Sequence, residues 1–185
     1  NLTYKKAAIY LETRAYIRYA LSSLFKIDAL DIPIIANPGE PPKLPQGMGH
    51  VSISHCNDGL VVVWHKSKIG IDIERSDRKF NYQAIAKKYF LKTNKSLNKN
   101  NLDRSEVLNY WCIIEAAIKW DEGTISRDIM EWEYLSNNNS IHHKKKKTKL
   151  CFDQFAFKYW TISIAYKNLN IENNINILCD NSNSI

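Results

Sequence analysis

The 185-residue sequence has no run approaching the roughly 20 uncharged apolar residues that a membrane-spanning helix needs. Its amino end carries Lys5, Lys6, Glu12, Arg14 and Arg18 and lacks the compact apolar stretch of a secretory signal, so a soluble, cytoplasmic protein is expected. Cysteine is sparse: Cys56, Cys112, Cys151 and Cys179 are scattered without a C-x-x-C pair, which argues against zinc or dithiol chemistry and predicts reduced, structural thiols. No residue-level repeat is present. What remains is a globular composition, 44% hydrophobic with 11% aromatic residues, enough for one substantial domain or two small halves sharing a core. The 26 basic and 19 acidic residues leave a formal charge of +7, which favours an anionic partner: a nucleotide, a nucleic acid or an acidic protein.

Apolar residues at Leu11, Ala15, Ile17, Leu21, Leu24 and Phe25 predict a helix over 7–25 with these side chains on one face, and Tyr10, Arg14 and Arg18 on another. Prolines and glycines between Pro33 and Gly49 predict a loop. Three β-rich runs follow, 51–55, 60–65 and 69–74, separated by Asn57-Asp58-Gly59 and Lys66-Ser67-Lys68, and read as an antiparallel meander. A helix is expected over 82–90, then a solvated loop rich in Lys and Asn over 92–104. A second long helix over 105–120 opens with a capping box at Asp103 and Glu106. Strands are expected at 130–135, 149–157 and 159–166, with a polar tip at 137–147 and a fraying tail from Asn173. Helix-then-strands occurs twice, so the expectation is an α+β fold of two comparable halves, 1–78 and 79–185.

Three places carry candidate chemistry. In Gly70-Ile71-Asp72-Ile73-Glu74, strand alternation sends Ile71 and Ile73 to the core and puts Asp72 and Glu74 together on the opposite face. Two neighbouring carboxylates call for a cation, and hard oxygen donors suit Mg²⁺; an ordinary half-exposed strand gives the same alternation. Ser52-Ile53-Ser54-His55 ends a strand where His55 can reach a phosphate, although strand-end histidines are commonly structural. In Trp111-Cys112-Ile113-Ile114-Glu115-Ala116-Ala117-Ile118-Lys119, Glu115 and Lys119 share a helical face, either as a surface ion pair or, given the apolar neighbours of Glu115, as buried functional groups.

Taken in order and at these separations, S-I-S-H, G-I-D-I-E and W-x-x-x-E-A-x-x-K resemble the signature blocks of the surfactin-type 4'-phosphopantetheinyl transferases. The resemblance runs from Arg14 to Lys119. It implies two similar halves in a pseudo-twofold arrangement with the active site in the cleft between them. It also implies Mg²⁺ held by Asp72, Glu74 and Glu115, coenzyme A as co-substrate, and transfer of its phosphopantetheine arm to a serine of an acyl or peptidyl carrier protein, as in fatty-acid synthesis. Arg14, Ser54 and His55 would meet the 3'-phosphate end of coenzyme A, Lys119 the phosphate on the pantetheine side, and Asp72, Glu115 and Lys119 would be catalytic. Arg75, Arg78, Lys79, Lys87 and Lys88 would face an acidic carrier. A monomer is expected, since two halves already make one cleft.

Two positions depart from the family pattern: Ile114 stands where lysine is usual before the glutamate, and Glu40 where Gly-Lys-Pro or Gly-Arg-Pro is common. They motivate an alternative, a catalytically weak or inactive member that binds coenzyme A or carrier protein. A basic nucleic-acid-binding domain is a further alternative, resting on the charge and on His142-His143-Lys144-Lys145-Lys146-Lys147.

Overall fold

The structure, a computed structural model, describes residues 4–36, 40–91, 103–135 and 139–167. The expected Lys/Asn-rich loop falls largely, and the expected fraying tail wholly, outside these residues.

The architecture is α+β with antiparallel sheets. Helix α1 (Tyr4–Phe25) leads through a 3₁₀ turn (Ala29–Asp31) to β1 (His50–Cys56), β2 (Gly59–His65) and β3 (Ile69–Arg75). Helix α2 (Tyr82–Ile85) continues as a π-helical turn (Ala86–Phe90), and α3 (Arg104–Trp120) and the short α4 (Ile125–Asp128) follow. Four strands complete the described chain: β4 (Trp132–Leu135), β5 (Ser140–His143), β6 (Thr148–Phe157) and β7 (Trp160–Tyr166). No helix among the described residues is long and apolar enough to cross a membrane.

The sheet topology corrects the expected meander. β1 and β2 form a two-stranded hairpin, whereas β3 turns away and pairs antiparallel with β7 at the edge of a five-stranded sheet ordered β3-β7-β6-β5-β4. β1 still runs alongside β3, but through side chains: the Ile71 amide donates to Ser52 Oγ at 3.2 Å. A second correction concerns the polar tip at 137–147, which contains β5. Ser140, Ile141 and His143 are buried there, and Lys144 to Lys147 make only the turn into β6.

Helix α1 is where predicted, but its inward face differs. Thr13, Ile17 and Leu21 are buried, while Leu11 is 67% and Leu24 49% exposed and Ala15 faces solvent. The core on this side is Ile17, Leu21, Ile32 and Val51, joined by Ile53, Val62 and Trp64 from one face of the hairpin. The opposite face of the hairpin, with Val61 and Val63, packs on Ile69, Ile71, Ile73, Ile162, Ile164 and Tyr166. Each such aliphatic side chain contributes about 1.5–3 kcal/mol when fully buried.

The other face of β3 is also covered, so the expectation that Asp72 lies opposite the core needs revising: Asp72 is 2% exposed. Gly70, Asp72 and Glu74 pair across to Ala165, Ser163 and Thr161, all small, and this shallow strip seats α3. Helix α3 begins with the expected capping box, in which Asp103 accepts from the Glu106 amide at 2.8 Å and Glu106 accepts from the Asp103 amide at 3.1 Å. Its apolar side, including Ile113, Ala117 and Ile118, packs into a third cluster with Phe90, Trp132, Ile141, Leu150 and Phe152.

Candidate metal centre and its cleft

Because α3 lies across β3, a carboxylate one turn from its end meets the two on the strand. Asp72, Glu74 and Glu115 each offer an oxygen within 4.8 Å of the others, the only such acidic, histidine or cysteine group among the described residues. The sequence expectation that these acids converge is therefore met geometrically.

Three carboxylates this close repel one another, and the protein offsets the repulsion in three ways. Lys119 Nζ lies 2.7 Å from Asp72 Oδ1 and donates at 2.7 Å to Ser54 Oγ, whose hydroxyl donates in turn to Asp72 Oδ1 at 2.7 Å. Arg78, in the turn after β3, pairs with Glu74. Burial pushes the Glu115 carboxyl up to about 7, the charge of Asp72 and more weakly that of Glu74 pushing the same way, while Lys119 opposes them. The floor is apolar and inert: Cys112 Sγ contacts the Asp72 carbonyl at 3.4 Å, and burial pushes its thiol well above the usual range.

A divalent cation fits this donor set on one specific ground. Asp72 Oδ2 is buried and has no hydrogen-bond partner among the described residues. A buried carboxylate oxygen without a partner costs a desolvation penalty of about 1–3 kcal/mol or more, which a hard cation removes.

The remaining expected residues Arg14 and His55 share a cavity wall with Lys119. A cavity of about 1360 Å³ opens between α1, the 40–49 loop and the hairpin, with Arg14, Ser52, His55 and Lys119 in its wall. Arg14 lies 4.5 Å from the Tyr10 ring centre, and its Nε is buried without a partner. His55 is exposed where this cavity meets a smaller one, about 580 Å³, whose wall includes Glu74, Arg75, Arg78 and Lys79. The Ser54 hydroxyl is engaged by Asp72 and Lys119, which sets it beside the acids.

Sequence reasoning missed three partners. The Arg78 pairing has a local signal, four residues after Glu74, which the expected docking role of Arg78 masks. The Ser54, Asp72 and Lys119 contact joins three distant segments and leaves no local trace. Glu122, which also lines the larger cavity, follows the last periodic residues of α3 and carries no motif signal of its own.

One departure from the family pattern, Ile114, and the basic run behind the nucleic-acid alternative look different in place. Ile114 is 1% exposed and belongs to the apolar cluster under α3, so its side chain points away from the acids. The basic run is partly neutralised, with Lys145 bound to Glu131 at 2.7 Å and Lys146 to Asp121. No known protein-family model matches the sequence, and no curated protein matches it either.

Proposed function

We propose that the chain is a magnesium-dependent 4'-phosphopantetheinyl transferase that moves phosphopantetheine from coenzyme A to a carrier-protein serine and releases 3',5'-ADP. The observation that carries this reading is the convergence of Asp72, Glu74 and Glu115, one of them with a buried unpartnered oxygen, beside Lys119 at the wall of a nucleotide-sized cationic cavity. The ordered motifs supply the substrate class. Under this reading the twofold order of helix then strands is a pseudo-twofold arrangement of halves 1–78 and 79–185, with α3 and β3 meeting at the cleft, and the protein works as a cytoplasmic monomer.

Asp72, Glu74 and Glu115 would hold the Mg²⁺, whose charge would offset that of the coenzyme A diphosphate. Lys119, already directed at the acids, can turn its ammonium to the phosphate on the pantetheine side, where charge accumulates as the bond to the leaving group lengthens. Arg14 and His55 line the cavity that would take the nucleotide end. The carrier serine oxygen forms the new bond to phosphorus, the bond from that phosphorus to 3',5'-ADP breaks, and the serine proton passes to a base. Glu115 is the candidate among this chain's residues to accept it. The smaller basic cavity beside Glu74 is the side from which an acidic carrier would present its serine.

The test is direct: incubate the protein with Mg²⁺, coenzyme A and an apo-carrier, and weigh the carrier by mass spectrometry. A phosphopantetheine increment on the serine, lost in Asp72→Ala and Glu115→Ala, supports the reading. Undiminished Mg²⁺-dependent transfer in either variant, or no increment from the wild type across acyl and peptidyl carriers, counts against it. Coenzyme A binding without transfer would identify a binding-only member of the family.

A further inference from the structure

β1 and β3 run alongside each other but belong to different sheets, so side chains hold the seam between them. Beside the acids, the Ile71 amide donates to Ser52 Oγ and the Ser54 hydroxyl donates to Asp72 Oδ1. At the tip of the hairpin the seam is held by Arg75, the last residue of β3, which pairs with Asp58 in the β1–β2 turn. The tip is also packed tightly: a Cβ at Gly59 would fall 2.7 Å from Trp160 Nε1 and 3.1 Å from Ile73 Cδ1.

The same guanidinium forks onto Asp77 just after β3, Nε donating to Oδ1 at 2.7 Å and Nη2 to Oδ2 at 2.5 Å. Its carbon lies 5.5 Å from the centre of the Tyr159 ring, in the turn between β6 and β7. The Ser76 amide donates to the Tyr159 carbonyl at 2.8 Å and ties that turn to the same place. Arg75 therefore joins three turns, 57–58, 76–77 and 158–159. A lone surface ion pair contributes little, but a planar fork shared between separate segments fixes their geometry. Each of its three nitrogens already meets a carboxylate, an arrangement suited to holding the chain rather than to receiving an anionic partner. His55 stands three residues before Asp58 on this hairpin, where the two cavities meet, so its place follows that of the tip.

We propose that Arg75 is a positioning residue: by clamping the hairpin tip to the five-stranded sheet it keeps His55 at the junction of the two cavities, and it is not part of the surface that receives a carrier. The substrates named in its test rest on the phosphopantetheine-transfer reading, whereas the clamp is a property of the folded chain alone.

The transfer assay, run at varied coenzyme A and at varied carrier, separates positioning from docking. Arg75→Met and Asp58→Asn should each raise the KM for coenzyme A about three- to tenfold, with kcat and the KM for the carrier within about twofold of wild type. Arg75→Lys should recover little, because one ammonium cannot hold Asp58 and Asp77 together. In a His55→Ala background Arg75→Met should add little, since the residue it positions is already gone. An unchanged KM for coenzyme A, a raised KM for the carrier, or an effect that adds in full to that of His55→Ala overturns the proposal. Hydrogen exchange followed by mass spectrometry, on the protein without substrates, is the independent arm. Both single variants should exchange faster over 55–60 and unchanged over 105–120, which distinguishes a loosened hairpin from general destabilisation. If wild type transfers nothing, the transferase reading fails while this arm still decides the clamp, and unaltered exchange over 55–60 overturns it.

Discussion

Gly70 of β3 lies directly beneath Ala116 of α3: a Cβ at Gly70 would fall on the Ala116 carbonyl oxygen and 2.5 Å from the Trp120 amide nitrogen. The absence of a side chain at this one position lets the helix approach closely enough for Glu115 to join Asp72 and Glu74. Both obstructing atoms are backbone, so no side chain can move aside. Gly70→Ala should therefore lift α3, cost roughly 3 kcal/mol by overpacking, and weaken divalent-cation binding at least about tenfold, since cluster geometry is lost with it. Urea unfolding and Mg²⁺ titration check the two effects; a variant with wild-type stability and affinity would show that the close approach is not required.

The contact between Lys119 and Asp72 sets an expectation for how stability responds to a divalent cation. Lys119→Met removes the cation nearest a buried carboxylate, and because the ammonium is only partly buried we expect a loss of about 2 kcal/mol in EDTA, below the range for fully buried pairs. Saturating Mg²⁺ should recover much of that loss by compensating the same oxygens. Denaturation curves with and without metal measure the difference; an equal loss under both conditions would separate Lys119 from the metal centre.

Glu115 sets a pH dependence whose sign follows from its raised acidity constant. Between the ordinary value of 4.5 and about 7, the folded protein holds a proton there that the unfolded chain has released. This contribution to stability is complete below that window and gone above it, so the metal-free protein should become less stable as pH rises from 5 to 8. Metal needs the carboxylate, so Mg²⁺ affinity should rise over the same range, by up to about tenfold per pH unit below 7. Melting temperatures in EDTA and in Mg²⁺ at pH 5.5 and 8 report both trends, and Glu115→Gln should flatten them.

His55 is exposed at the junction of the two cavities and holds none of the acids. We expect His55→Ala to raise the KM for coenzyme A about tenfold, the scale of one hydrogen bond to a charged group, with kcat little changed. An unchanged KM, measured by carrier modification at varied coenzyme A, would remove His55 from the nucleotide site.

The parts of this protein that were legible in sequence are those governed by local periodicity. Alternation along 70–74 correctly put Asp72 and Glu74 on one face, and the apolar neighbours of Glu115 fit its partial burial. The capping box marked the start of α3. What was hidden depends on partners far along the chain. The Lys66 to Lys68 turn looks like a hairpin turn, yet β3 is taken by β7, a choice made by Ile162, Ile164 and Tyr166 nearly a hundred residues later. β5 reads as polar because Ser140, His142 and His143 are polar, and only its burial between β4 and β6 makes it a strand. On α1 the apolar residues outnumber the places available in the core, so periodicity could not separate Ile17 and Leu21, which are buried, from Leu11 and Leu24, which are not.

The pairing of β3 with β7 has a consequence for biosynthesis. Asp72 and Glu74 leave the ribosome early, but the strand that holds theirs in place, Trp160–Tyr166, is among the last described segments to emerge. A nascent chain interrupted before residue 160 has all three acids and no seat for them, so the acidic cluster assembles only in polypeptides whose translation has passed β7. Closing so long a loop is also slow, which leaves the hydrogen-bonding edge of β3 unpaired until β7 arrives.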